Sequence, residues 1–89
     1  QQIESLSVSD SEQRIGLTLI RLAEGLGTIK QGNVFMKNLP YTQDIANMAG
    51  TSRETVARTR KLWEDKSFIM KENRVLTIFN FDSFRTAFS

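Results

Sequence analysis

The sequence predicts an α+β fold in which three helices pack together with small antiparallel hairpins. Three observations lead to this class. Apolar residues recur at helical spacing in three segments, β-branched residues mixed with turn formers separate the first two, and two short apolar runs around a polar tip follow the third. The chain has 89 residues, 39 % of them hydrophobic and 25 % charged, which fits one globular domain with a modest core.

The first helix is predicted in residues 8–27, VSDSEQRIGLTLIRLAEGLG. Ser9 and Glu12 have the spacing of a capping box, and two glycines at the end of the segment provide its stop. A core stripe at helical spacing consists of Ile15, Leu19, Leu22, Ala23 and Leu26. Leu17 and Ile20 fall outside this stripe, so either another domain or chain covers them or the helix is buried on a wide face.

The middle of the chain predicts a short hairpin or loop and then two helices. Residues 28–40, TIKQGNVFMKNLP, mix β-branched residues with Gly and Asn, as hairpins do. A brief helix follows, capped at Thr42 and ended by Gly50. Its inward-facing residues are expected to be Ile45, Met48 and Ala49. A second cap then precedes a helix from Arg53 to about Lys66.

Two apolar runs around residues 71–74 predict a second hairpin with a polar tip, and Asp82 is placed to cap a last turn that carries Phe84 and Phe88. Two short helices joined by a tight turn containing Gly, the second of them basic, are the signature of a helix-turn-helix. A hairpin directly after it makes the motif winged. We therefore expect one winged helix-turn-helix domain over residues 9–89, with the helix-turn-helix at about 42–66 and the wing at about 68–79.

The composition narrows the classes of function. The chain has no cysteine and no histidine, so it lacks thiolate ligands, the commonest general base and the commonest metal ligand. We expect no enzyme, no catalytic residue, no metal and no cofactor in this domain. No apolar run approaches the length of a membrane span and no signal-peptide pattern is present, so we expect no membrane partner. The absence of cysteine fits a reducing cytoplasm, which is the location we expect. The net charge of +2 is too small to indicate nucleic acid by itself, so the distribution of charge has to decide.

The basic helix divides into two faces when each residue advances by about 100°. The side that can pack on the rest of the domain carries Ser52, Val56, Thr59, Leu62 and Trp63. The opposite side carries Glu54, Ala57, Arg58, Lys61 and Asp65, with Arg53 and Arg60 on a flank. The small Ala57 leaves room for another surface to approach closely.

This outer side suits the major groove of duplex DNA. Arg pairs bidentately with O6 and N7 of guanine, and a carboxylate accepts from N4 of cytosine. A recognition helix reads bases from its N-terminal residues, where Arg53, Glu54 and Arg58 lie. A surface built only to bind phosphate would avoid the carboxylate of Glu54. Two plainer explanations remain open, a capping box between Thr51 and Glu54 and an ion pair between Glu54 and Arg58.

Further residues are candidates for contacts to DNA phosphates, because they lie near helix N-termini, along the basic helix or at the tip of the wing. They are Thr42, Gln43, Ser52, Thr55, Arg60, Lys61, Lys71 and Arg74. For Lys71 and Arg74, simple solvated loop charges explain the pattern nearly as well.

Residues 39–69, LPYTQDIANMAGTSRETVARTRKLWEDKSFI, resemble the C-terminal DNA-binding domain of the Crp/Fnr superfamily of bacterial transcription regulators. The run T-Q-D-I-A followed by G-T-S-R-E-T-V-x-R is far more specific than a generic helix-turn-helix. The resemblance is closest to the cyclic-AMP receptor protein branch, which places Arg, Glu and Arg where Arg53, Glu54 and Arg58 stand. The oxygen-sensing branch uses Glu-x-x-Ser-Arg, and Ala57 replaces that serine here.

The resemblance implies binding, as a dimer, to a palindromic operator with half-sites related to TGTGA. It also implies an upstream sensor domain and a long dimerisation helix that are absent from this chain, with residues 1–8 as the end of that helix, and RNA polymerase as a further partner. Leu17 and Ile20 would then contact the sensor part.

Three residues depart from the pattern of this family. Thr59 and Arg60 stand where aliphatic residues are usual, which thins the inner packing of the basic helix. Ser67 stands where a helix-ending Gly is usual. It either adopts the left-handed conformation, at a cost of about 1 kcal/mol, or ends the helix differently.

Two functions from different classes follow from these observations. The first is sequence-specific binding of double-stranded DNA as the output domain of a transcription regulator. The alternative is a winged-helix protein–protein interaction module without base-specific DNA binding, since one fold can serve both. Salt separates them, because the affinity of a DNA reader falls steeply as the salt concentration rises.

Overall fold

The computed structural model describes residues 9–88 and contains four helices and four strands in that range. Their order is α1 (Asp10–Leu26), β1 (Gly27–Lys30), β2 (Asn33–Met36), α2 (Thr42–Ala49), α3 (Arg53–Asp65), β3 (Ile69–Glu72), β4 (Val75–Ile78) and α4 (Phe81–Phe88). The predicted α+β winged helix-turn-helix fold is confirmed. No helix in the described range is long and apolar enough to cross a membrane. The assignment of residues 1–8 to the end of a linker helix lies outside the described residues.

The two hairpins join into one four-stranded antiparallel sheet of order β1-β2-β4-β3. The junction is the pairing of β2 with β4, in which Val34 lies opposite Ile78 and neither side chain is exposed to solvent. The wing is the outer hairpin, β3–β4, and its two-residue tip consists of Asn73 and Arg74. Asn73 adopts a positive φ of 58°, which Asn tolerates better than most residues.

The core forms where the helices meet this sheet. Its most completely buried side chains are Ile15, Val34, Met36, Ile69, Leu76 and Ile78. Trp63 of α3 packs beside this core against Phe84 and Phe88, with ring centroids 5.4 and 4.9 Å away. Gly16 makes room for this cluster, since a Cβ there would lie 2.5 Å from Cγ of Phe88. The aromatic cluster therefore fixes the inner side of α3.

The first helix is buried on a wider face than the predicted stripe. Its capping box is confirmed, with Ser9 N donating to Glu12 Oε1 at 2.9 Å and Glu12 N donating to Ser9 Oγ at 3.1 Å. Ile20 is 5 % exposed and Leu17 packs against the same core, so of the two expected explanations the helix buried on a wide face is the one confirmed. Leu26, expected inside, is 52 % exposed because the helix ends there.

The second helix differs from its prediction at the cap and on the inner face. Its N-cap residue is Tyr41, whose side chain makes no capping hydrogen bond, so the expected cap at Thr42 is wrong. The buried residues are Ile45, Ala46 and Ala49. These three residues form the buried stripe of the helix. Met48 lies outside this stripe and is 55 % exposed. Gly50 ends the helix as predicted.

The last helix is longer than the single turn expected from the sequence. It begins at Phe81, so Asp82 lies inside its first turn and is not the cap. A carboxylate in that turn still interacts favourably with the helix dipole. Phe84 and Phe88 are buried as predicted.

Candidate nucleic-acid interface

The helix-turn-helix is built by a three-residue turn between α2 and α3. Gly50 adopts the left-handed conformation, with φ of 71°, and the amide of Thr51 donates to Ala46 O at 2.9 Å, which closes the end of α2. Ser52 caps α3 by accepting the amide of Thr55 at 3.1 Å. The two helices are therefore joined by a short, hydrogen-bonded turn, which restricts their relative orientation.

The inner face of α3 is narrow. It buries Val56, Thr59 and Trp63, each no more than 5 % exposed. Ser52 and Leu62 were expected on this face, but Ser52 is exposed at the cap and Leu62 is 39 % exposed. Most of the circumference of the helix is therefore left facing outward.

The outer face of α3, defined here as Arg53, Glu54, Ala57, Arg58 and Lys61, is exposed at every position. Within residues 9–88, its charged side chains make no hydrogen bond or ion pair with another part of the chain. Both plainer explanations of Glu54 are wrong in the described structure. The cap is Ser52, whose capping-box partner position belongs to Thr55, and Glu54 forms no ion pair with Arg58.

Several candidate phosphate contacts already have partners inside the domain. Ser52 and Thr55 share a hydroxyl–hydroxyl hydrogen bond of 2.8 Å. Gln43 Nε2 donates to Asn47 Oδ1 at 3.0 Å along α2. At the wing, Lys71 Nζ donates to the carbonyl oxygen of Asn73 at 2.8 Å. All of these bonds lie at exposed positions, where solvent or a phosphate can replace them.

Arg60 lies on the flank of α3 and spans toward the first residue of α2. Its side chain lines a small cavity between the two helices together with Thr42, Ile45 and Val56. Its Nε is buried without a hydrogen-bond partner among the described residues, and the carboxylate of Glu64 is 3.9 Å away. A buried donor of this kind gains from an additional acceptor.

Arg74, at the tip of the wing, folds back onto the body of the domain. Its Nη2 donates to the carbonyl oxygen of Leu39, and its Cζ lies 4.5 Å from the ring centroid of Tyr41. The sequence pattern does not identify Tyr41 as part of this arrangement. The sequence does contain one hint, because Tyr41 is an aromatic residue between Pro40 and a helix N-terminus and was not predicted to be part of the core.

Ser67 ends α3 in the left-handed conformation, with φ of 62°. Its amide donates to Glu64 O at 3.0 Å, and the amide of Phe68 donates to Trp63 O at 2.9 Å, which together form a Schellman closure. The first of the two expected endings is therefore the one adopted. The same closure directs the chain from the recognition-type helix into the wing.

The structure resembles solved regulators of greater length. The CprK C200S variant complexed with OCPA has a TM-score of 0.78 and 13 % sequence identity, and the similarity covers 96 % of this chain and 41 % of that protein. The imidazole-bound CO-dependent transcription factor CooA from Carboxydothermus hydrogenoformans has a TM-score of 0.73 and 20 % identity, covering 86 % and 36 %. The catabolite activator protein of Thermus thermophilus has a TM-score of 0.71 and 21 % identity, covering 94 % and 36 %. These likenesses show a shared fold, and the chain spans well under half of each protein.

The sequence comparisons agree with the fold. Among curated proteins, none matches the chain closely enough to count as a relative. Residues 13–87, by contrast, match the family model described as the Crp-like helix-turn-helix domain. The match runs from α1 through the wing into α4 and therefore includes the whole helix-turn-helix. The chain belongs to the Crp-like helix-turn-helix domain family, the DNA-binding domain of Crp/Fnr-type transcription regulators.

Proposed function

We propose that this domain reads the base sequence of double-stranded DNA by inserting α3 into the major groove. One observation carries the proposal. Arg53, Glu54 and Arg58 lie exposed on the N-terminal half of α3, and no described part of the chain uses their charges. Groove-reading helices contact base edges with side chains at this end.

The chemistry of the three side chains defines what they would read. Arg53 and Arg58 offer the paired donors that match O6 and N7 of guanine, and Glu54 offers an acceptor for N4 of cytosine. Ala57 lies between them and carries no side chain beyond Cβ, so the helix axis can come close to the bases. The half-site is expected to be related to TGTGA, as the resemblance to the cyclic-AMP receptor protein branch implies.

The phosphate backbone would be held from three directions. Thr42 and Gln43 begin α2, where the amides and the helix dipole favour an anion. Arg60 reaches the same region, and its side chain is partly exposed there, so its guanidinium is a further candidate for a phosphate oxygen. The other candidates are Ser52, Thr55 and Lys61 on α3 and Lys71 on the wing. Arg74 differs from these because its guanidinium is already engaged within the domain.

The wider setting is also part of the proposal. The solved regulators are more than twice as long as the region that this chain matches. We infer a parent protein with an upstream sensor domain and a dimerisation helix, which binds a palindromic operator in the cytoplasm and has RNA polymerase as a partner. Dimerisation would place two copies of α3 one helical turn of DNA apart.

The test is a binding-site selection from random duplexes with an artificially dimerised chain, followed by Arg58→Ala. Base discrimination by one bidentate pair is worth about 1–3 kcal/mol, so affinity for the selected half-site should fall about 5- to 150-fold. Affinity for random duplex should fall much less. Lys61→Ala is the matched control, because this residue is one turn further from the N-terminus and should weaken both duplexes equally.

Two results would contradict the proposal. If Arg58→Ala weakens selected and random duplexes by the same factor, Arg58 is a phosphate anchor and not a base reader. If no sequence is enriched and duplex binding barely responds to salt, the protein–protein interaction module becomes the better assignment.

A further inference from the structure

We propose that Arg74 is a positioning residue for DNA binding, which fastens the tip of the wing to the entry of α2 and does not itself bind phosphate. The inference rests on the proposed DNA-binding function, but the contacts that carry it exist without DNA. Leu39, Tyr41 and Arg74 form an arrangement that we call the wing clamp.

The clamp joins two segments far apart in sequence through three contacts. Arg74 Nη2 donates to the carbonyl oxygen of Leu39, and the amide of Leu39 donates back to the carbonyl oxygen of Arg74 at 3.2 Å. The guanidinium also stacks on Tyr41, with Cζ 4.5 Å from the ring centroid. The backbone and the side chain of Arg74 therefore both contact the short segment from Leu39 to Tyr41.

The entry of α2 needs such a support because its cap is weak. Tyr41 occupies the N-cap position, but its side chain makes no capping hydrogen bond. The helix that follows, Thr42–Ala49, is too short to be stable by itself. Leu39 is 3 % exposed and anchors the segment in the core, so the clamp fixes the direction in which α2 leaves that anchor.

The tip of the wing needs the same support for a different reason. The pairing of β4 with β2 reaches from Ile78 to Leu76 and stops there. Beyond Leu76, the wing is a two-stranded ribbon in which β3 is an edge strand, and such ribbons are marginally stable in water. Arg74 lies in this unsupported part and ties it to Leu39.

The consequence for DNA binding is that one residue sets the spacing of two elements with candidate phosphate contacts. Thr42 and Gln43 begin α2 immediately after the clamp, and Lys71 lies in the strand that leads to the tip. The guanidinium of Arg74 has one face on an aromatic ring and one nitrogen on a carbonyl oxygen. Its planar shape, and not only its charge, is therefore what the clamp uses.

The experiment compares Arg74→Lys, Arg74→Gln, Tyr41→Leu and Tyr41→Phe in affinity for the selected duplex over a range of salt concentrations. Lysine keeps the charge but cannot stack and fork together. We expect Arg74→Lys, Arg74→Gln and Tyr41→Leu to lower affinity by roughly threefold to tenfold, the size of an exposed cation–π contact and its attached bond. Tyr41→Phe keeps the ring and should bind like the wild type. Arg74→Lys and Arg74→Gln should have the same salt dependence, because Arg74 itself neutralises no phosphate.

Combining Arg74→Lys with Tyr41→Leu should weaken binding no further than either change alone, because each removes the same clamp. The opposite pattern would overturn the inference. If Arg74→Lys binds like the wild type while Arg74→Gln lowers the slope of log affinity against log salt by about 0.9, Arg74 contacts a phosphate. An unchanged affinity in Tyr41→Leu would overturn it equally.

Amide exchange gives a readout that does not need DNA. The amide of Leu39 donates to Arg74 O, so its exchange should be faster in Arg74→Lys and Tyr41→Leu and unchanged in Tyr41→Phe. Unaltered protection of Leu39 in the first two variants would show that no clamp exists. If the wild type fails to bind duplex DNA in a salt-dependent way, the proposed function fails, while this exchange measurement still decides whether the clamp forms.

Discussion

The two faces of α3 have opposite relations to the rest of the chain. Val56, Thr59 and Trp63 are buried, and the ring of Trp63 contacts the two phenylalanines of α4. On the other side, the charged side chains of the outer face form no hydrogen bond or ion pair with another part of the chain within residues 9–88. One helix therefore separates two roles around its axis, with the inner face holding the fold and the outer face available to a partner. The comparison teaches that exposure without an internal partner, and not charge alone, distinguishes the side of α3 that we propose to bind DNA.

The largest expected effect comes from the inner face. Trp63→Ala should lower the free energy of unfolding by about 3–5 kcal/mol, because it removes the centre of the aromatic cluster and leaves a cavity. Leu62→Ala, one position earlier and 39 % exposed, should cost at most about 1 kcal/mol. Urea denaturation of both variants followed by circular dichroism measures the difference. Equal losses of unfolding free energy in the two variants would contradict the division of α3 into a buried and an exposed face.

Glu54→Ala tests the outer face. It should leave the free energy of unfolding within about 0.5 kcal/mol of the wild type, since Glu54 has no partner in the described structure. It should reduce the preference for the selected base by up to about 1–3 kcal/mol, while binding to random duplex stays equal or improves. Competition binding with duplexes substituted at single positions checks this, with Asp65→Ala at the other end of α3 as control. Lower stability with unchanged base preference would return Glu54 to a structural role.

Ala57→Leu tests whether the outer face must come close to its partner. Both residues favour helices, so the stability should barely change. The larger side chain should hold α3 away from the groove and lower affinity at least tenfold, which is about 1.4 kcal/mol. Ala57→Ser is the conservative control. Duplex titrations in which Ala57→Leu binds as tightly as the wild type would show that this part of α3 does not enter the groove.

The smallest effect is expected at the C-terminal end of α3. Ser67→Gly should raise the free energy of unfolding by up to about 1 kcal/mol, because glycine adopts the left-handed conformation without the penalty that serine has. Asn73→Gly should gain less, since Asn tolerates a positive φ. Base preference should stay unchanged in both. Thermal unfolding that shows no gain for Ser67→Gly would mean that another contact offsets the strain.

Local chemistry made much of this fold predictable. The capping box of Ser9 and Glu12, the helix-ending Gly50 and the alternation of apolar runs depend on neighbours a few residues away, and the structure contains them as expected. The outer face of α3 was predictable for the same reason, because the helical period alone decides which side chains share a side. The base contacts that we assign to it stay a prediction.

Contacts between distant segments could not be predicted from the sequence. Met48 was expected inside, and the burial of Ile20 was left open, because a helical period gives the spacing of a stripe but not its width or its centre. The wing clamp joins residues 35 positions apart through a side chain and a backbone oxygen, and no local pattern encodes such a pair. The joining of the two hairpins into one sheet likewise depends on tertiary packing.

The charged side chains of the outer face have no hydrogen-bond or ion-pair partner within the described residues, and this determines how easily they can be substituted. Substitutions at Arg53, Glu54 or Arg58 meet no described neighbour that must change with them. Under the base contacts that we propose, one or two codon changes would give a descendant a different operator, without a compensating substitution elsewhere. Retargeting in the laboratory should follow the same route, with libraries confined to these three codons.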